Sequence, residues 1–137
     1  MDDGIIVTLL ITDTDGSKES IAAEKISEST YKLLENPIFS CKINYGTIVK
    51  AVLDEEGNLI VTKVIRASDF KTRKFILPDN PSSNEFSKKI GNRIIDVGGT
   101  WEIAFGGVAF LHIPRNLEFD FKSLFSQLNY FPTEITE

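Results

Sequence analysis

A pair of apolar segments in the middle of the chain constrains the fold more than any other feature. Thr47–Leu53 and Leu59–Arg66 both have the composition of extended strands, and only five residues join them. Gly57, in that short connection, can supply the positive φ that a hairpin loop of this length commonly requires. The sequence therefore predicts a β-hairpin with strands over 47–53 and 59–66.

Further strands and two helices are predicted around the hairpin. Ser82 and Glu85 form a capping box in front of apolar residues at helical spacing, which predicts one helix. A second amphipathic helix follows Asp120, because Phe121 and the apolar residues after it recur at i, i+3, i+4 and i+7. Apolar and β-branched runs bounded by turn residues predict strands over 4–11, 31–35, 38–43 and 71–77, and two strands within 101–113. The apolar residues of segment 18–26 fit the spacing of a strand and also that of a helix, so the two alternatives, a strand and a short helix, stay open.

Length and composition place these elements in one domain. The chain has 137 residues, of which 42% are apolar, so it can bury one core without a metal or disulfide. We predict a single α+β domain over 1–137. Its architecture is expected to be a mainly antiparallel sheet of about five to seven strands, including the central hairpin, with two helices packed on it.

Neither a membrane span nor a secretion signal is apparent. No stretch reaches the roughly eighteen apolar residues of a spanning helix, and the N-terminal residues lack a positive leader and a cleavage site. The single cysteine, Cys41, cannot form an internal disulfide, and its apolar context predicts a buried side chain. These features favour a cytoplasmic protein with no membrane partner.

The charge is distributed unevenly along the chain. Residues 1–60 carry eleven acids and five bases, residues 61–93 carry three acids and eight bases, and residues 94–137 carry six acids and two bases. With a pI near 4.9, the whole protein does not have the basic surface typical of nucleic-acid binders. An acidic surface instead suits a basic protein partner.

No motif for catalysis, metal binding or cofactor binding is present. His112 is the only histidine and lies in an apolar strand context, with no second ligand at metal-binding spacing. The glycine pairs match neither a phosphate-binding loop nor a dinucleotide fingerprint. We therefore predict no catalytic residue, metal or cofactor. Arg73, Glu102 and His112 are kept as candidate contacts for an anion or small ligand.

Two acidic segments are candidate partner-binding sites. The first is a loop that contains Asp13 and Asp15, and the second is the tip of the hairpin, which contains Asp54, Glu55 and Glu56. Convergence of the two would create a concentrated negative surface. The basic residues between Lys63 and Lys74 could contact RNA, although lysine and arginine in such positions commonly protect an edge strand from aggregation.

Several pieces of the sequence resemble an uncharacterised bacterial domain family of about this length. They include Glu19, the segment from Tyr31 through Asn36 to Phe39, the segment from Ser68 to Arg73, and the closing strand over 110–114. The pieces span most of the chain. Ile48 departs from the pattern, which has an acidic residue there, and the surroundings of Asp69 lack the family's glycine. The resemblance implies a small cytoplasmic protein with no assigned enzyme activity, and similar acidic domains act as immunity proteins in bacterial toxin systems.

Together these observations predict an immunity protein, not an enzyme, that neutralises a cognate toxin domain in a polymorphic toxin or contact-dependent inhibition system. The predicted partner is a basic nuclease whose active site is covered. Two alternatives stay open. One is a small-ligand-binding or enzymatic α+β domain with a pocket between sheet and helices, in which Arg73 holds an anion and His112 or Glu102 is the acid/base. The other is an RNA-binding module that uses the segment from Lys63 to Lys74.

Overall fold

The computed structural model confirms the α+β class. It describes residues 4–12, 16–37, 43–78, 87–104 and 107–136. Within these ranges the chain forms nine strands and two helical segments, and it divides into two compact units, Met1–Asp69 and Phe70–Glu137. The prediction of one domain over 1–137 stays a prediction, since this division does not measure whether the units unfold together.

The first unit is a closed five-stranded barrel. Its strands neighbour one another in chain order and pair antiparallel from β1 to β5. An odd number of strands that alternate in direction can close only with one parallel pair, and here Leu9 and Leu10 of β1 pair with Leu59 and Ile60 of β5. The strands are β1 (Ile6–Thr12), β2 (Lys18–Lys25), β3 (Thr30–Leu33), β4 (Ile48–Leu53) and β5 (Leu59–Arg66).

Alternate side chains of the barrel strands fill its interior. On β1, Leu9 and Ile11 are buried, and their neighbours are more exposed. The same alternation occurs on β2 and β4, as expected when one face of each strand is covered. The core of the barrel consists of Leu9, Ile11, Ile21, Ala23, Tyr31, Leu33, Ile43, Val49 and Ala51.

The second unit is a four-stranded antiparallel sheet with helices on one face. The spatial order of its strands is β7, β8, β6, β9. A π-helical turn, Ser87–Gly91, runs directly into the short helix α1 (Asn92–Asp96), and α2 spans Phe121–Leu128. The strands are β6 (Phe70–Ile76), β7 (Thr100–Ala104), β8 (Val108–Pro114) and β9 (Thr133–Glu134).

Apolar faces of both helices share one core with the sheet. Ile90 and Ile94 come from the first helical segment, and Phe121, Leu124 and Phe125 come from α2. Helix α2 begins where Asp120 accepts a hydrogen bond from the Ser123 N–H at 2.9 Å, and it ends at Asn129 in the left-handed conformation. On the sheet, the core is completed by Phe75, Leu77, Ala109, Leu111 and Ile113.

Most predicted elements are present, with differences in number and arrangement. The hairpin is confirmed as β4 and β5, and segment 18–26 is a strand. The strands number nine in two sheets, rather than five to seven in one sheet, and β9 was not predicted. The capping box at Ser82 and Glu85, part of the strand predicted over 38–43, and Cys41 lie outside the described residues.

Gly99 provides a test of the packing in the second unit. A Cβ at this position would overlap the carbonyl oxygen of His112 and would lie 2.9 Å from Cγ2 of Ile94. We expect Gly99→Ala to lower the free energy of unfolding by about 2 kcal/mol, because the packed backbone of β8 cannot move aside cheaply.

The matched control is Gly107→Ala, since no atom lies within 4 Å of a Cβ built there. This variant should be neutral or slightly stabilising. Urea unfolding followed by circular dichroism measures both variants. Equal stability of the two proteins would contradict the close contact at Gly99.

Candidate functional site

The carboxylate of Asp54 holds the turn at the tip of the β4–β5 hairpin. Its Oδ1 accepts hydrogen bonds from the backbone N–H groups of Glu56 and Asn58, both at 2.9 Å. The N–H of Gly57, whose φ is 85°, donates to the Asp54 carbonyl at 3.2 Å. Short polar side chains commonly close turns in this way. Asp54, predicted as a partner-binding residue, therefore has a structural role in the turn.

Glu55 and Glu56 follow two exposed apolar residues in the chain. Both acids are exposed, and on the preceding strand Val52 is 44% exposed and Leu53 is 67% exposed. Ordinary alternation would turn one of these two apolar residues inward, so the end of β4 extends past the barrel core. We call Leu53, Glu55 and Glu56 the hairpin-tip surface, since Val52 points to the opposite face of the strand. It combines negative charge with apolar area.

The other predicted acidic segment cannot be placed relative to this surface. Asp13 and Asp15 lie outside the described residues, between β1 and β2. Their convergence with the hairpin tip stays a prediction.

Arg73 is ion-paired across the edge of the second sheet. Its Nε and Nη2 both donate to the carboxylate of Glu134 on β9, the latter at 2.8 Å. The hydrogen bond and charge of Glu134 raise the pKa of Arg73, and those of Arg73 lower the pKa of Glu134. The guanidinium also lies over the Phe121 ring, 4.9 Å from its centroid. Arg73 is therefore held in one position by two kinds of contact.

Glu102 and His112 lie together on the opposite face of the same sheet. His112 is completely buried, and its Nδ1 is 2.8 Å from the hydroxyl oxygen of Thr72 on β6. Its Nε2 is 3.6 Å from Oε2 of Glu102 on β7. Thr72 is in register with His112, whereas Glu102 is two residues along β7 from Thr100, the residue in register with His112.

The predicted Arg73, Glu102 and His112 do not form one ligand site. Arg73 is paired in register with Leu111, which belongs to the core beneath the helices, whereas Thr72 is paired with His112. Paired residues in antiparallel strands point to the same face, and successive residues point to opposite faces. The sheet therefore separates Arg73 from the other two residues.

A pocket opens on the helix-covered side of the second sheet and includes Arg73, the anion contact of the small-ligand alternative. Its volume is about 420 Å³, within the usual range for small-ligand sites. Three charged side chains line it, namely Arg73, Lys122 and Glu134. Four phenylalanines provide much of the remaining wall: Phe75, Phe121, Phe125 and Phe131. We call this the aromatic pocket. Besides Arg73, the sequence indicated only Phe121 and Phe125, through their helical spacing, because β9 is too short to recognise.

The basic residues proposed for RNA binding lie on β5 and β6. Arg66 forms an exposed ion pair with Asp69 at 3.2 Å, and Arg73 pairs with Glu134. Each of these two cations already has a carboxylate partner, so neither contributes its full charge to a phosphate-binding surface.

The described ranges contain neither a metal-binding cluster nor a membrane-spanning helix. Among these residues, no three His, Cys, Asp or Glu side chains are placed so that they could hold a metal ion. No helix in the same part of the chain combines the length and hydropathy needed to cross a bilayer.

Comparison with known proteins shows similarity of fold. No protein-family model matches the chain, and no curated protein matches it. A solved structure of a hypothetical protein from Neisseria gonorrhoeae is similar, with a TM-score of 0.60 and 16% sequence identity. The alignment covers 90% of this chain and 87% of that chain. The fold is therefore shared over most of both proteins, and the resemblance to a bacterial immunity-protein-like family stays a prediction.

The role of Asp54 in the turn can be tested by removing its carboxylate. We expect Asp54→Ala to lower the free energy of unfolding by about 1 kcal/mol, because two backbone N–H groups lose their acceptor. Glu56→Ala is the matched control and should change stability by less than about 0.5 kcal/mol. Chemical denaturation of both variants measures the difference. An unchanged stability of Asp54→Ala would contradict the structural role.

The Arg73–Glu134 ion pair predicts a pH dependence with a definite sign. Because Arg73 lowers the pKa of Glu134, the pair contributes stability above the ordinary glutamate value of 4.5 and loses it as the pH falls through the lowered pKa. In Arg73→Gln, the pKa of Glu134 should rise back toward 4.5. A ¹³C titration of the side-chain carboxyl measures it. Arg93→Gln is the control, and the interpretation fails if both variants titrate like the wild type.

Proposed function

We propose that the protein is a cytoplasmic immunity protein that binds a cognate bacterial toxin domain and neutralises it. The proposed partner is a basic nuclease, and inhibition comes from covering its active site. The observation that carries this proposal is the hairpin-tip surface, where the exposed acids Glu55 and Glu56 closely follow the exposed Leu53 in the chain. The resemblance described from the sequence supports the same function.

The two components of this surface have different effects on binding. Carboxylates steer a positively charged partner toward the complex and raise the association rate, especially at low salt. Exposed apolar side chains, once buried in the interface, slow dissociation. A nuclease that binds polyanionic substrates has a cationic cleft, so an acidic tip with apolar neighbours has complementary chemistry.

The structure of the turn favours a rigid tip. Asp54 fixes the backbone of residues 54–58 through four hydrogen bonds that involve its side chain or backbone, at 2.9 to 3.2 Å. Glu55 and Glu56 are therefore presented on an ordered backbone, so less conformational entropy is lost on binding.

The direct experiment is calorimetric titration against the C-terminal domain encoded by the gene immediately upstream, because toxin and immunity genes are commonly adjacent. Tight one-to-one binding that abolishes nuclease activity is the expected result. Binding without loss of activity would overturn the immunity function, and absence of binding would overturn the choice of partner.

The contribution of the hairpin-tip surface is tested with charge reversal. We expect Glu55→Lys/Glu56→Lys to slow association with the toxin domain by about tenfold at low salt, with a smaller effect at high salt. Leu53→Ala should mainly raise the dissociation rate, since it removes apolar contact area and no charge. Stopped-flow or surface-plasmon-resonance kinetics separate the two effects.

The matched control for the charge reversal is Glu28→Lys/Glu118→Lys. Both of these acids are exposed and lie outside the hairpin, and the double variant has the same net charge as the reversed tip. Equal slowing by the two double variants would show an effect of net charge alone and would exclude the hairpin tip from the interface.

A further inference from the structure

We propose that the aromatic pocket binds a small aromatic carboxylate. This site belongs to the second unit and uses none of the residues of the hairpin-tip surface. It therefore goes beyond the proposed function, and its test is independent of any toxin.

The walls of the pocket favour a ring as the body of the ligand. Phe75 packs edge-on against Phe125, with ring centroids 5.2 Å apart. The centroid of its ring is also 5.5 Å from that of Phe121. These contacts make a fixed aromatic wall. Phe131 also lines the pocket but is 62% exposed. A ligand ring that enters the pocket can bury part of Phe131. It can also stack against a phenylalanine at the centroid separation that is favourable for aromatic pairs.

The charges around the pocket favour an anion. Arg73 and Glu134 form an ion pair and largely cancel one another, whereas Lys122 adds one positive charge. Two of the five N–H groups of Arg73 donate to Glu134, so the guanidinium keeps donors for a ligand oxygen. A carboxylate can therefore interact with Lys122 and Arg73 while its ring contacts the phenylalanines.

The position of Arg73 is set without the ligand. Glu134 holds its Nε and Nη2, and Phe121 lies under its guanidinium. A side chain held in this way loses little rotamer freedom when a ligand binds, and this preorganisation favours binding of a small anion.

The test is calorimetric titration of the full chain with three ligands of similar shape: phenylbutyrate, phenylbutanol and phenylbutylamine. The acid should bind, the alcohol should bind about fivefold more weakly, and the amine should bind more weakly still. Chemical-shift mapping with phenylbutyrate should move the amide signals of Phe131 and Glu134 and leave those of β7, at the other edge of the same sheet, in place.

Two variants at the rim separate the ring from the charge. Both Lys122 and Phe131 are exposed, so their replacement leaves the core intact. Phe131→Ala should lower the affinity for all three ligands by about tenfold, because the ligand ring loses an aromatic contact. Lys122→Gln should remove most of the preference for the acid over the alcohol. The control Lys88→Gln, at an exposed position on the first helical segment, should preserve that preference.

Three results would overturn the proposal. One is the absence of phenylbutyrate binding at about 1 mM, well above the dissociation constant of a useful site. The second is equal affinity for acid and amine, which would leave only nonspecific apolar adsorption. The third is an acid preference that Lys122→Gln and Lys88→Gln preserve equally.

Discussion

The alternation of side chains along a β-strand is the constraint on which both units depend. In the barrel it sends Leu9 and Ile11 into the interior and leaves their neighbours outside. In the second unit it assigns Leu111 to the core beneath the helices and His112 to the opposite face. A shift of one residue in the pairing of β6 with β8 would exchange these faces and place an imidazole in the phenylalanine core. Burial of the apolar face thus fixes the register, and the register fixes where each polar side chain lies.

Features that depend on neighbours in the chain could be predicted from the sequence. The hairpin and the helix that follows Asp120 both result from short-range spacing, and the structure contains them. The division of nine strands between a barrel and a separate sheet depends on pairing between distant segments, such as β1 with β5, and no local pattern records it. For the same reason, grouping Arg73 with Glu102 and His112 was wrong. Their types were suitable for an anion site, but the strand register places them on two faces.

The hairpin tip shows why residue type alone did not distinguish an acid that stabilises the turn from acids that can contact a partner. Asp54, Glu55 and Glu56 are three consecutive acids, and composition treats them alike. The backbone conformation directs the Asp54 carboxylate to the N–H groups of the turn, whereas Glu55 and Glu56 remain exposed. The tertiary structure decides the role of Arg73 in the same way. The sequence predicted this cation as a ligand contact, and in the structure it is paired with the carboxylate of Glu134, 61 residues later in the chain. Side-chain partners of this kind become visible only once the tertiary structure is known.

The two-residue strand β9 has a consequence for the integrity of the protein. It covers only the end of β6, through the pairing of Phe75 with Glu134 and of Ile76 with Thr133, and Ile76 is half exposed there. Without this short cover, the backbone donors and acceptors at the end of β6 would be open to pairing with another chain. Thr133 and Glu134 therefore protect this edge from sheet-to-sheet association, and loss of their pairing would first cause self-association of otherwise folded molecules.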